Sequence, residues 1–127
     1  MKEFMLLVRN TGHHLSALSA EKHQEFLNAC EKYIGRLKEQ NKLLAAQPLV
    51  KQGVVLSRAG KGWNVIPLHK DHEVQVGYYH IQANDIDEAI AIAKENPEFE
   101  YTLTASIEVR PIKMKEQNTG FVYPKTN

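Results

Sequence analysis

The chain has 127 residues, 43% of them hydrophobic and 24% charged, with sixteen Lys and Arg against fifteen Asp and Glu for a formal net charge of +1. This is the composition of one globular domain, too short for two, and its balanced charge gives no field to gather nucleic acid or an acidic membrane surface. A single cysteine, Cys30, excludes an internal disulfide, and the apolar start FMLLV is too short for a signal peptide or a span, so the expected compartment is the cytoplasm.

In chain order, Glu3 to Arg9 is a short apolar run with Phe4, Leu6 and Val8 on one face and Met5 and Leu7 on the other, which predicts a central strand. Asn10 to Leu18 reads as a loop carrying His13 and His14. Ser19 is a natural N-cap for a helix to about Gln40, whose core stripe is Phe26, Leu27, Cys30, Tyr33, Ile34 and Leu37, with Asn41 to close it. Leu43 to Leu49 follows as a strand that Pro48 confines to an edge or an end. GVVLSR and GWNVIP flank Ala59-Gly60-Lys61-Gly62, which predicts an inserted hairpin.

Val74 to Ala83 is apolar on both faces, with Val74, Val76, Tyr78 and His80 on one and Gly77, Tyr79, Ile81 and Ala83 on the other, a second central strand. Asp85 and Glu88 have the spacing of a capping box, and Ile86, Ala89, Ile90 and Ala93 give a helix that Pro97 stops. Glu98 to Tyr101 connects to a half-buried strand over Thr102 to Ile112. Lys113 onward is polar, so residues 1–113 read as the domain and 114–127 as a loose or partner-bound tail.

Strand, helix, strand, hairpin, strand, helix, strand is an α+β, ferredoxin-like split βαβ pattern with the hairpin inserted. Right-handed crossovers put the two central strands side by side. Two helices cover one face of a four-stranded sheet, so the other face needs a second subunit, and a homodimeric α+β barrel is the expected assembly.

Four segments, MKEFMLLVRN, KLLAAQPL, EVQVGYYHIQANDIDEAIAIAK and IEVRPI, together resemble the YCII-related, DGPF-type family of the dimeric α+β barrel superfamily. The resemblance covers residues 1 to about 113. It implies a ferredoxin-like homodimer, with lyase-type chemistry in some relatives and monooxygenases and isomerases more widely. Where the family carries Asp-Gly-Pro-Phe or Asp-Gly-Pro-Tyr, this chain has Val65-Ile66-Pro67-Leu68, so an activity that needs that acid does not carry over. His23 stands near a helix position where relatives have a histidine paired with an aspartate.

Six histidines supply candidates. His80, on an apolar strand, and His23 are the candidate proton carriers. His13, His14 and Tyr78 are candidate ligand contacts, and Arg9 and Arg110, near the ends of neighbouring strands, have the planar forks to hold a carboxylate or phosphate. His69-Lys70-Asp71-His72 lacks a zinc-type spacing, so neither a metal nor a cofactor is expected. Trp63 and Tyr79 read as packing residues, and Cys30 as inert core. The first expectation is a protein that binds a small organic molecule in the barrel cavity. The alternatives are a lyase or isomerase with a His/Arg site, and a non-catalytic structural or regulatory protein-binding module.

Overall fold

Two capping residues set where the helices begin. Ser19 Oγ accepts from the Lys22 amide at 3.1 Å and starts α1 (Ala20–Glu39), and Asp85 Oδ1 accepts from the Glu88 amide at 2.8 Å and starts α2 (Ile86–Lys94). Glu88 reaches back to Asn84, one residue before the cap, through both the backbone and the side-chain nitrogen. At the other end of α1, Asn41 takes φ 58°, and the Lys42 and Asn41 amides bond the carbonyls of Leu37 and Lys38, a Schellman closure. In this computed structural model residues 1–124 are described.

The strands are β1 (Lys2–Thr11), β2 (Leu43–Pro48), β3 (Val54–Ala59), β4 (Gly62–Pro67), β5 (Glu73–Ala83) and β6 (Ser106–Pro111), and a single turn, α3 (Glu98–Tyr101), follows α2. Four of them form an antiparallel sheet in the order β2-β5-β1-β6, the ferredoxin-like arrangement, with the two doubly apolar strands at its centre. Pro48 lies on edge strand β2, where a missing amide costs no ladder bond. Gly77 lets that edge approach closely, since a Cβ there would stand 3.2 Å from the Gln47 carbonyl oxygen.

One face of the sheet carries the core. Phe4, Leu6, Ile81 and Ala83 pack with Tyr33 and Leu37 of α1 and with Ala89, Ile92 and Ala93 of α2. The Tyr33 hydroxyl donates to the Ile92 carbonyl at 2.7 Å, tying the helices together. The other face holds Met5, Leu7, Tyr78 and His80 at its centre and has no helix over it. No helix of the described residues is long and apolar enough to cross a membrane.

Three expectations change. The core stripe of α1 is only half core: Phe26, Tyr33 and Leu37 are buried, while Leu27, Cys30 and Ile34 line a cavity because nothing large sits opposite them. The strand expected from Thr102 begins only at Ser106, because the Thr102 and Thr104 hydroxyls are engaged with Asn10. On β5 the alternation breaks. Val8 pairs with Gly77 and Arg9 with Gln75, which leaves Val76 as an extra residue, a β-bulge. Val74 then pairs with buried Asn10 and lines the helix-side cavity, so it does not share a face with Tyr78 and His80.

The hairpin β3-β4 forms its own two-stranded sheet, turned by Gly60 at φ 59°. Val54, Val55, Leu56, Trp63, Val65 and Ile66 are each 54% to 60% exposed, so Trp63 is not the packing residue its type suggested; Arg58 lies over its ring at 5.2 Å. Past β6, the Tyr123 amide returns to the Met114 carbonyl and Lys115 bridges Val122, which gives the tail a local turn. Its last three residues, 125–127, lie outside the described residues.

Candidate functional site

The unfilled half of the α1 stripe faces β2 and the start of β5 across a cavity of about 680 Å³. A second hollow of about 560 Å³ adjoins it, under the loop after β1, and the two share His14, Leu15, Leu49 and Val76 as a common wall. Both volumes are of the size that takes a small organic molecule.

At one end of the larger cavity stands a polar cluster in an otherwise apolar lining. Asn10, on the core face of β1 and fully buried, donates from Nδ2 to Glu98 Oε1 at 3.0 Å and to Thr102 Oγ1 at 2.9 Å, and its Oδ1 accepts from Thr104 Oγ1 at 2.6 Å and from the Thr11 amide at 2.9 Å. His14 Nε2 meets the same Glu98 Oε1 at 3.0 Å, and its Nδ1 lies 3.0 Å from the Thr11 carbonyl. A carbonyl only accepts, which assigns a hydrogen to Nδ1 and leaves Nε2 to share a proton with Glu98. The Glu98 side chain is only 7% exposed, and the histidine and amide contacts are what make a buried carboxylate tolerable there.

Asn96 stands two residues before Glu98. Its Oδ1 accepts from the Glu98 amide at 2.8 Å, while its Nδ2, buried against the cavity, has no partner among the described residues. A buried amide without an acceptor is costly to keep and marks a place where another group belongs. The Tyr79 hydroxyl lies toward the same corner. Burial raises its pKa, with Cys30 and Glu98 adding to the rise, so the phenol stays protonated and can donate.

Cys30 lines the cavity too, and burial, aided by Glu98, pushes its thiol up to about 11. Little of it is thiolate at neutral pH, which argues against a cysteine nucleophile. Alkylation of Cys30 by iodoacetamide, followed by mass spectrometry, should therefore be slow at pH 7 and rise about tenfold per pH unit up to about pH 10. A rate that levels off below pH 9 would show a thiolate-stabilising environment instead.

The residues singled out from sequence fall into two groups on opposite sides of the sheet. His13, His14 and His23 come together in the smaller hollow. His80, Tyr78, Arg9 and Arg110 lie on the open face. There His80 Nε2 meets Glu3 Oε1 at 2.7 Å, Arg9 meets Glu73 at 3.1 Å and Arg110 meets Glu108 at 3.4 Å. Arg9 lies on β1 and Arg110 pairs with Met5, four residues from Arg9 and about 13 Å along the strand, so they do not form one anion clamp. His69 and His72 stack at 4.3 Å in an exposed loop, and no three His, Cys, Asp or Glu side chains converge as a metal set among the described residues.

The family model for the YCII-related domain matches residues 2–113, from the first strand to just past the last. The chain belongs to the YCII-related family. No curated protein matches it. In this YCII-related chain Val65 to Leu68, where the resemblance leads us to expect an Asp-Gly-Pro motif, is the exposed end of β4 and the chain after it. The carboxylate of the cavity is Glu98, from a segment read as a connector, and Asn96 and Tyr79 were not singled out as site residues. The only hint was an Asn-Pro-Glu run directly after a helix stop, a polar cluster that a plain surface turn shares.

Proposed function

We propose that this YCII-related protein binds a small organic molecule in the cleft between α1 and the β2-β5 edge. The observation that carries this reading is Asn96 Nδ2, an unpaired donor in the wall of an apolar cavity, since an acceptor atom on a ligand would satisfy it. The alternative of a filled, purely structural interior is disfavoured by the same cavity.

A thermal-shift screen against small carboxylates, phosphates, phenols and ketones tests it. A ligand at a hundred times its dissociation constant should stabilise the fold by about 2.7 kcal/mol. The Ile34→Trp variant, whose indole would occupy the cavity, should lose that shift. Shifts that persist in Ile34→Trp, or no shift from any compound, would overturn the reading.

We also propose that the working unit is a homodimer. The chain exposes 9138 Å², roughly a third more than the ~6,900 Å² of a compact monomer of its mass. Such a surplus is of the size that a stable dimer buries. Part of the exposed surface is the open sheet face and the hairpin, which as an isolated two-stranded unit is marginal in water. A second copy supplies the same apolar surfaces together with its own Arg9–Glu73 and Glu108–Arg110 pairs, so the match is self-complementary in charge.

A further inference from the structure

The polar end of the cleft divides into donors and an acceptor. Asn96 is 4% exposed and its Nδ2 has no acceptor within hydrogen-bond distance among the described residues, while the Tyr79 phenol is near enough that this amide works against the rise in its pKa. A single oxygen atom entering between them would take both hydrogens. Glu98 is the acceptor. Its two partners, Asn10 and His14, both bind Oε1 at 3.0 Å, so Oε2 is left for the cleft that Glu98 lines.

From this geometry we infer that the cleft acts on small carbonyl compounds, with Asn96 and Tyr79 holding the carbonyl oxygen and Glu98 removing a proton from the carbon beside it. This rests on the ligand-binding reading above and adds a substrate class and a reaction. The C–H bond next to the carbonyl breaks and its proton passes to Glu98 Oε2. The bonding pair moves into a new C=C, and negative charge collects on the oxygen between the Tyr79 O–H and the Asn96 N–H. Return of the proton to a different carbon gives an isomer, and return to the same carbon gives exchange with solvent. Neither outcome consumes an oxidant or a reductant.

The chemistry restricts the substrate further. A carboxylate is a mild base, so the carbon it deprotonates most readily is one acidified further, by a second carbonyl group or by conjugation with a neighbouring double bond. The apolar walls from Leu27, Ile34 and Phe26 suit a hydrocarbon body, and the larger hollow's Glu31 and Lys38, exposed and of opposite sign, leave no net positive charge to select an anionic one. His14 is a positioning residue. The Thr11 carbonyl fixes its ring, and the ring fixes Oε1, which sets the direction of Oε2.

The test follows pyruvate, 2-oxobutyrate, cyclohexanone and cyclohex-3-enone in D₂O by proton NMR, with saturation transfer from the full-length protein reporting binding in the same samples. A bound neutral ketone should lose its α-protons at least about a hundredfold faster than in buffer, and cyclohex-3-enone should convert to the conjugated enone. Glu98→Gln should keep saturation transfer and lose about 10²- to 10⁴-fold in rate. Tyr79→Phe, which removes one oxygen and decides the matter if Glu98→Gln does not fold, should lose up to about 10²- to 10³-fold. Probes that bind without faster exchange would overturn the carbonyl chemistry and leave the binding site standing, as would full rates in both variants. No saturation transfer from any probe would remove both.

Discussion

Asn10→Ala should lower the unfolding free energy by about 3 kcal/mol or more, measured by urea denaturation with an unchanged dependence on denaturant. The side chain lies in no position that composition would call vital, yet it is wholly buried and makes four hydrogen bonds, to Glu98, Thr102, Thr104 and the Thr11 amide. Truncation strips Glu98 of one of its two donors and leaves the Thr104 hydroxyl without its acceptor. Each such buried orphan costs on the order of 1–3 kcal/mol, and they do not add fully because they share one network. Asn10→Asp separates geometry from charge. It keeps the shape but sets a second carboxylate against Glu98, and like charges raise the folded-state pKa of the pair. A raised pKa favours the fold at low pH and is lost as pH rises through it, so this variant should gain stability on acidification relative to the parent. A cost below about 1 kcal/mol for Asn10→Ala would mean that water readily replaces the amide.

The second large effect concerns assembly. Lysines at Val55 and Ile66, which pair across the hairpin, or at Leu56 and Val65, which pair on its other face, should weaken the dimer at least a hundredfold in one of the two double variants. All four side chains are exposed in the single chain, so the fold of the monomer should be unchanged by circular dichroism. A hundredfold is about 2.7 kcal/mol, well within reach of sedimentation equilibrium. If both variants and the parent sediment alike as dimers, the hairpin is not part of the interface; if the parent sediments as a monomer, the dimer itself is refuted.

The elements were legible where a residue's local chemistry decides structure. Ser19, Asp85, Asn41, Pro48 and Gly60 act on the backbone within a few residues, and each sits where its type demands. The cavity was not legible. Leu27, Cys30 and Ile34 repeat at helical spacing as core residues do, but periodicity reports which face is apolar and says nothing of what stands opposite. His80, Arg9 and Arg110 were chosen by side-chain chemistry, and each meets a carboxylate, Glu3, Glu73 and Glu108 respectively. Glu3 lies 77 residues from His80 and Glu73 lies 64 from Arg9, separations that no local pattern reveals. Glu98 and Asn96 were missed for the same reason: Asn10 and His14, which turn a connector into a site, come from the other end of the chain.

The bulge at Val76 gives the strand a spare length of chain at the boundary between two tasks. Ahead of it, Val74 looks into the cavity wall; beyond it, Tyr79, Ile81 and Ala83 serve the helix-covered side, while Tyr78 and His80 look the opposite way. A strand shortened by that one residue would complete an unbroken ladder, keep Val74 opposite Asn10, and lose the Val76 side chain that walls both hollows. Loss of a single codon, with every other amino acid kept, would thus tidy the sheet and breach the wall between the two hollows.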